Sequence, residues 1–237
     1  MTSNNHHHHT KSGDPPVVHR KIALLGFSSV GKTSLINSFA HGTFSEKIEP
    51  TIETTFSKTI RFRKVHFATD IVDTAGMDEY SRLSRNASLG VHGYILVFSI
   101  ASRQSFVQIT KLNQLLLNTL GDAPDVPRVL VGSMSDLAAT GGNGLENDHD
   151  PATPTATSSL PNPVASSIMG STHATTAARQ VSYTDARRLA DSWGVPYLEC
   201  SSRTGDNVAE VFHTLMKEIE KDDGLLAEAG EGGCCIL

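Results

Sequence analysis

The chain has 237 residues, a formal net charge of −5 and 38% hydrophobic residues. This size and composition suit one domain with a real core plus extensions of low complexity. Acidic and basic residues are evenly mixed, so no basic field would attract nucleic acid, and nucleic-acid binding is disfavoured. The longest apolar run, around Tyr94 to Phe98, is too short to cross a bilayer. Three cysteines imply no disulfide framework and favour a reducing, cytosolic compartment.

Three segments are predicted to lie outside the core because they are polar or of low complexity. Residues 1–18, which include a histidine tract, are predicted to form a disordered N-terminal arm. Residues 138–178 are rich in Ser, Thr, Ala, Gly, Pro and Asn, and we interpret them as a disordered insertion within one domain spanning 19–221. Residues 222–237 are expected to be a flexible C-terminal tail.

The first half of the domain alternates strand and helix patterns. In chain order, the predicted elements are a strand over Lys21 to Phe27, a helix over about Gly31 to Ala40, two strands between Phe56 and Val72 with a turn near Arg63-Lys64, a weak helix between Leu83 and Leu89, and a strand over Val91 to Ile100. The last strand is nearly continuously apolar, which is typical of a strand covered on both faces.

The second half continues the alternation. The predicted elements are a helix over roughly Ser102 to Leu120, a strand over Val129 to Val131, a helix from Ser182 to Trp193, a strand over Tyr197 to Cys200, and a final helix capped by Asn207. Such alternation predicts a doubly wound α/β fold with a six-stranded, mostly parallel sheet. Ligands bind sheets of this kind at the carboxyl ends of the strands.

The strongest motif follows the first predicted strand. Residues 26–33 read Gly-Phe-Ser-Ser-Val-Gly-Lys-Thr and fit the phosphate-binding P-loop pattern G-x-x-x-x-G-K-[ST]. Its backbone N–H groups and the N-terminus of the following helix can hold phosphate oxygens. Lys32 supplies a positive charge, and Thr33 offers a hydroxyl to Mg²⁺. A mere glycine-containing turn is disfavoured, because the pattern lies between a buried strand and a helix.

Three further stretches indicate which nucleotide is bound. Asp73, at a strand end, can hold Mg²⁺ through water, and the Gly76 N–H can reach a γ-phosphate. The hydroxyl and carbonyl of Thr51 can reach the same ion. Asp136 follows a buried strand, where its carboxylate can accept hydrogen bonds from guanine N1–H and N2–H₂. Adenine would leave this carboxylate unpaired, so GTP is favoured over ATP.

Several segments together resemble the Ras family of small GTPases, and within it the Rheb group. The resemblance covers about Arg20 to Lys221 apart from the insertion, and it rests on Pro50-Thr51-Ile52-Glu53-Thr54-Thr55-Phe56, Asp73-Thr74-Ala75-Gly76-Met77-Asp78-Glu79-Tyr80, Gly93-Tyr94-Ile95-Leu96-Val97-Phe98 and Leu189-Ala190-Asp191-Ser192-Trp193. It implies a small G-protein fold of the P-loop NTPase type and a molecular switch between GTP and GDP.

The resemblance also implies a role for each matching position. Lys32, Thr51 and Gly76 would serve the hydrolysis of GTP to GDP and phosphate. Thr33, Thr51 and, through water, Asp73 would hold Mg²⁺. Phe44 would lie against the guanine edge, and Arg203 would stack on the base. The full set of implied nucleotide contacts is Ser29, Val30, Gly31, Lys32, Thr33, Ser34, Phe44, Ser45, Thr51, Gly76, Ser133, Asp136, Ser202 and Arg203.

Two departures from the family pattern change the expected behaviour. Met77 stands where the family has the Gln that orients the attacking water, so intrinsic hydrolysis should be slow. Ser133-Met134 replaces an Asn-Lys pair whose Asn ties the base to the P-loop, and Ser is expected to be too short for this. Losing such bonds costs roughly 1 to 3 kcal/mol each, so we expect weakened but retained nucleotide binding with faster exchange.

The resemblance implies partners as well. The segment from Glu49 to Phe56 would be switch I, the effector surface, and Gly76 to Leu83 would be switch II. Expected partners are a GTPase-activating protein, a possible exchange factor and, as effector, a TOR kinase complex. The protein is expected to be a monomer.

The last four residues, Cys234-Cys235-Ile236-Leu237, fit a C-a-a-X prenylation box, and the final Leu favours geranylgeranyl on Cys234. The preceding tail is acidic, so a single prenyl group would anchor the protein reversibly. The expected location is the cytoplasmic face of membranes, either endomembrane or plasma membrane, with a cytosolic pool.

Two functional classes stay open at this point. The first is a Rheb-type GTP switch that hydrolyses GTP slowly. The second is a pseudo-GTPase that acts as a membrane-anchored interaction module and binds nucleotide only weakly because of Ser133 and Met134. The complete phosphate and Mg²⁺ set, with Lys32, Thr33 and Thr51, favours the first.

Overall fold

The computed structural model of the protein describes residues 17–47, 50–62, 65–78, 81–121, 126–141 and 178–222. Its strands are β1 Val17–Gly26, β2 Glu53–Phe62, β3 Val65–Thr74, β4 Gly93–Ser99, β5 Arg128–Ser133 and β6 Tyr197–Glu199. Its helices are α1 Lys32–His41, α2 Arg85–Ser88, α3 Arg103–Leu120, a 3₁₀ helix Ser135–Gly141, α4 Tyr183–Trp193 and α5 Val208–Asp222. No helix within these segments is long and apolar enough to cross a membrane.

The strands form one six-stranded sheet in the order β2-β3-β1-β4-β5-β6. Only the β2 and β3 pair among these neighbours is antiparallel, and the other four pairings are parallel. The predicted doubly wound, mostly parallel α/β sheet is therefore confirmed.

Helices cover both faces of this sheet. In β1, Ile22 and Leu24 belong to an apolar cluster with side chains of α1 and α5, whereas Ala23 and Leu25 belong to a second cluster with side chains of α3 and α4. Side chains alternate between the two faces of a strand, so a strand covered on both faces must be apolar throughout. This explains why the central strands read as continuous apolar runs.

Several predicted boundaries differ from those in the structure. β1 begins at Val17, inside the segment predicted to be an arm, because its first residues pair with β3 from His66 onward. The 3₁₀ helix covers the first residues of the predicted insertion, and α5 includes Asp222. Asn207, the predicted cap, directly precedes α5 and accepts the Val211 N–H on its carbonyl at 3.1 Å, while its Nδ2 donates to the Glu199 carbonyl at 2.8 Å. The remainder of the insertion, 142–177, lies outside the described residues.

Candidate functional site

A cleft of about 660 Å³ opens where β1, β3 and β5 end and α1 begins. The fold brings together in its lining every residue predicted to contact nucleotide, namely Ser29, Val30, Gly31, Lys32, Thr33, Ser34, Phe44, Ser45, Thr51, Gly76, Ser133, Asp136, Ser202 and Arg203. The predicted metal residue Asp73 lies directly behind this lining and is fully buried. Cys234 lies outside the described residues.

The loop between β1 and α1 has the backbone of a phosphate cradle. Gly31, just before α1, has a φ of 88°, a left-handed conformation that favours glycine. Ser29 adopts a φ of 60°, which is uncommon for a residue with a side chain. Successive turns of this kind orient backbone N–H groups inward, toward an anion. The loop can therefore bind phosphate with its main chain.

Lys32 is buried at the bottom of this loop. Its Nζ donates to the carbonyl oxygens of Gly26 and Phe27 at 3.0 and 3.1 Å, which holds the ammonium group inside the loop. Burial lowers the pKa of Lys32 to about 8, while the nearby Asp73 carboxylate acts in the opposite direction. A buried cation with a lowered pKa is stabilised by an incoming anion, so this site favours a phosphate group.

Three oxygens meet beside the P-loop. Thr33 Oγ1 donates to Asp73 Oδ2 at 2.6 Å and lies 2.8 Å from Thr51 Oγ1. The other carboxylate oxygen of Asp73, Oδ1, is buried and has no hydrogen-bond partner among the residues that the structure describes. Burial raises the pKa of Asp73, against the hydrogen bond from Thr33 and the charge of Lys32. Hydroxyl and carboxylate oxygens in this arrangement fit a hard divalent cation such as Mg²⁺.

The segment after β3 approaches the P-loop closely. A Cβ atom at Gly76 would lie 2.5 Å from Ser28 Cα, so only glycine fits there. The next residue, Met77, donates its backbone N–H to the Gly26 carbonyl at 3.1 Å. The Met77 side chain is 5% exposed and belongs to the apolar cluster on the α3 side of the sheet. Its thioether therefore faces the core, and it has no group that could donate a hydrogen bond to water.

Asp136 lies at the opposite end of the cleft from Asp73. Its Oδ1 accepts a hydrogen bond from the Ser201 hydroxyl at 2.7 Å, and the Ser135 N–H donates to the Cys200 carbonyl at 3.1 Å. These bonds tie the loop after β5 to the loop after β6. The sequence analysis did not predict that Ser201 orients the Asp136 carboxylate. Its position next to Ser202, a predicted nucleotide contact, was the available signal.

The expectation that Ser133 is too short to reach the P-loop is wrong. Its Oγ lies 2.6 Å from the Val30 carbonyl and 3.0 Å from the Phe98 carbonyl. One hydroxyl proton serves one of these two acceptors at a time. The tie between β5 and the P-loop is therefore present, but the hydroxyl proton is occupied by it. The neighbouring Met134 accepts from Ser99 Oγ at 3.2 Å through its sulfur.

Two side chains link the segment predicted to be switch I with α2, which follows the segment predicted to be switch II. The Ser84 hydroxyl, which caps α2, donates to Glu53 Oε2. Asn86 Nδ2 donates to Thr55 Oγ1 at 3.3 Å. Residue 49 of the segment predicted to be switch I and residues 79–80 of the segment predicted to be switch II lie outside the described residues. The described parts show that the start of β2 is bonded to α2.

The comparisons with known proteins agree with this geometry. The Ras family model matches residues 21–221. The chain belongs to the Ras family. Among relatives, this Ras-family chain is 38% identical over 218 residues to the small monomeric GTPase RhbA of Aspergillus fumigatus, covering 92% of this chain and 96% of the relative.

Two further relatives extend the match. The GTP-binding protein rhb1 of Schizosaccharomyces pombe is 35% identical over 222 residues, 94% of this chain and 98% of that protein. The GTP-binding protein Rheb of Homo sapiens is 33% identical over 223 residues, 94% of this chain and 100% of that protein. The resemblance to the Ras family and its Rheb group, inferred from the sequence, is thus confirmed.

Proposed function

We propose that this protein is a switch that binds GTP or GDP with Mg²⁺ and hydrolyses GTP to GDP and phosphate slowly. The observation that supports it most strongly is the single cleft in which the P-loop, Thr51, Gly76 and Asp136 meet. The residues proposed to bind the phosphates, the metal ion and the base therefore lie around one cleft. The names of the relatives, which include a small monomeric GTPase and GTP-binding proteins, support the same activity.

The phosphate end of the cleft accounts for binding of the triphosphate. The P-loop backbone and Lys32 would hold the β- and γ-phosphates, and the Gly76 N–H would meet the γ-phosphate. Thr33 and Thr51 would hold Mg²⁺ directly and Asp73 through water. When bound, this ion neutralises charge on the phosphate oxygens. Loss of the γ-phosphate would remove partners of Thr51 and Gly76, which would release both switch segments.

Slow hydrolysis follows from the place of Met77. A side chain that orients the attacking water must reach the cleft and donate or accept a hydrogen bond. The Met77 side chain does neither, because it packs in the core on the α3 side. The remaining residues bind and orient the nucleotide but leave the water without a side-chain partner from this position. The GTP form would then persist until an activating protein engages.

Partners and location extend this proposal. We infer an effector kinase complex, of the TOR type, that contacts switch I, a GTPase-activating protein, and a possible exchange factor. Ile52, on the segment before β2, is 90% exposed and is therefore accessible to such a partner. Prenylation at Cys234 would bring the monomer to the cytoplasmic face of membranes, with a cytosolic pool.

The second candidate function is an interaction module with little nucleotide bound. It is favoured by the base end, where the Ser133 hydroxyl proton is occupied and Met134 offers no hydrogen-bond donor. It is disfavoured by the buried oxygen and ammonium groups of Asp73 and Lys32, which would have no ligand to stabilise them.

The deciding experiment is to identify the nucleotide that copurifies with the protein, then to titrate the emptied protein with fluorescent GDP and with ATP in the presence of Mg²⁺. We expect bound guanine nucleotide and displacement by GTP but not by ATP. A protein that purifies empty and takes up no guanine nucleotide would contradict the switch and support the interaction module.

A further inference from the structure

An ion pair crosses the cleft at the base end. Arg203, in the loop after β6, pairs through its guanidinium with the carboxylate of Glu46, in the loop after α1. The two residues are 157 positions apart in the chain. Both loops contribute to the lining of the cleft. The contact therefore joins two walls of the site rather than two neighbours on one element.

Phe44 takes part in the same arrangement. The Arg203 guanidinium carbon lies 5.7 Å from the centroid of the Phe44 ring, which is a cation–π distance. Phe44 is 40% exposed, so its ring is covered in part by Arg203 and otherwise open to solvent. Glu46 holds the guanidinium on one side and the ring contacts it on another. We call the group of Glu46, Arg203 and Phe44 the clasp.

We propose that Glu46 is a positioning residue that holds the clasp closed over the base end and thereby sets the rate at which guanine nucleotide leaves. The proposal rests on the proposed function, because it assigns a role to the opening of the same cleft at its base end, which we call the mouth. A nucleotide that dissociates past this mouth must wait for the Glu46 and Arg203 side chains to separate.

Other contacts at the base end leave room for such a role. The Ser133 hydroxyl donates its proton to a backbone carbonyl, and the Met134 sulfur accepts a hydrogen bond from the Ser99 hydroxyl. Asp136, whose Oδ1 accepts from the Ser201 hydroxyl, still has acceptor capacity toward the base. Since the Ser133 and Met134 side chains offer the base no free hydrogen-bond donor, a contact that closes the mouth has a proportionally larger share in the release rate.

The exposure of the pair predicts the size and the salt dependence of the effect. The side chains of Arg203 and Glu46 are 54% and 76% exposed. Exposed ion pairs contribute little to folding stability and are screened by salt. Loss of the Glu46 charge should therefore change nucleotide release and leave the melting temperature unchanged. The change should shrink as the ionic strength rises.

The test is the release rate of fluorescent GDP from the full-length protein with Mg²⁺, measured by displacement with excess unlabelled GDP at low and at high salt. The variants are Glu46→Gln, which removes the charge at constant size, Glu46→Lys, which reverses it, and Glu46→Asp, which keeps it. The matched control is Glu218→Gln, which removes a comparable ion pair with Lys221 on α5, outside the cleft.

We expect Glu46→Gln to release GDP about two- to fivefold faster at low salt, Glu46→Lys faster still, and both to approach the native rate at high salt. Glu46→Asp and Glu218→Gln should stay near the native rate. If fluorescent GDP binds but Glu46→Gln and Glu46→Lys release it at the native rate, the clasp is overturned and the switch stands. If no guanine nucleotide binds at all, the proposed function fails and the clasp with it.

Discussion

The two ends of the cleft are built differently. At the phosphate end, Lys32, Asp73 and Thr74 are buried and hydrogen-bonded within the fold, and the P-loop supplies backbone groups. At the base end, Glu46 and Arg203 are exposed side chains that form a direct ion pair between two loops. Buried polar groups lose little freedom when a ligand arrives, whereas exposed side chains must be ordered. We infer that the phosphate end supplies affinity and the base end supplies selectivity and controls release.

The largest expected effect is at the phosphate end. Lys32→Met should lower GDP and GTP affinity by about 10²- to 10⁴-fold, because it removes one or two charge-assisted hydrogen bonds to phosphate. The measurement is titration with fluorescent GDP. The control is Lys21→Met, which removes a lysine that also donates to a backbone carbonyl, that of Leu89, outside the cleft. Equal affinity in the native and Lys32→Met proteins would contradict the division between the two ends.

The next effect is at the base end and concerns selectivity rather than affinity alone. Asp136→Asn should weaken GDP binding by about 10²-fold, because it replaces one of the two carboxylate oxygens that would accept from guanine N1–H and N2–H₂ with an NH₂ donor. The same variant should gain affinity for xanthosine diphosphate, whose C2 carbonyl accepts the new N–H. Competition of both nucleotides against fluorescent GDP measures the change. Loss of both nucleotides, with an unfolded circular dichroism spectrum, would instead show that the Ser201 bond is needed for folding.

The pH dependence of binding separates the ends in the native protein. The pKa of Lys32 is lowered to about 8 by burial, and a bound phosphate would raise it again. Binding then takes up a proton above pH 8. The contribution of Lys32 to affinity is complete well below pH 8 and falls as the pH rises through 8, by at most about tenfold per pH unit.

Two controls identify the group that titrates. The same fall should be absent in Lys32→Met, and this excludes titration of the guanine or the phosphates of the nucleotide. Calorimetry in two buffers of different ionisation enthalpy should show proton uptake between pH 8 and 9. An affinity that is constant over this range would contradict the assignment to Lys32.

A smaller effect than those of Lys32→Met and Asp136→Asn is expected between the two ends, at Met77. Met77→Gln should raise single-turnover GTP hydrolysis by about three- to tenfold, since each 1.36 kcal/mol removed from the barrier is tenfold in rate. A Gln buried in the apolar cluster would lack partners, which favours its turning into the cleft. The thermal midpoint should fall slightly because packing is lost. Met77→Leu is the matched control, and it should keep the native rate.

The pattern of apolar residues was enough to predict the order of strands and helices, the doubly wound sheet and the end of the sheet that carries the site. Boundaries were less predictable. β1 starts at Val17 because β3 lies beside it and offers hydrogen-bond partners, and a pairing with a strand about fifty residues later leaves little trace in the local sequence. The Asn207 amide bonds the Glu199 carbonyl for a similar reason.

Local motifs determined which chemical groups this protein brings to a nucleotide. The spacing of Gly26, Gly31 and Lys32 alone predicts a phosphate loop, because backbone conformation over eight residues is largely a local property.

The tertiary structure decided how those groups are held. The Ser133 hydroxyl reaches Val30, 103 positions away, Met77 turns into the core, and Glu46 meets Arg203 across the cleft. Each of these contacts depends on which side chains the packed sheet and its loops bring within about 3 to 4 Å of one another. Hydrogen bonds and packing contacts act only over this range. The separation of two residues along the chain does not show whether they come that close.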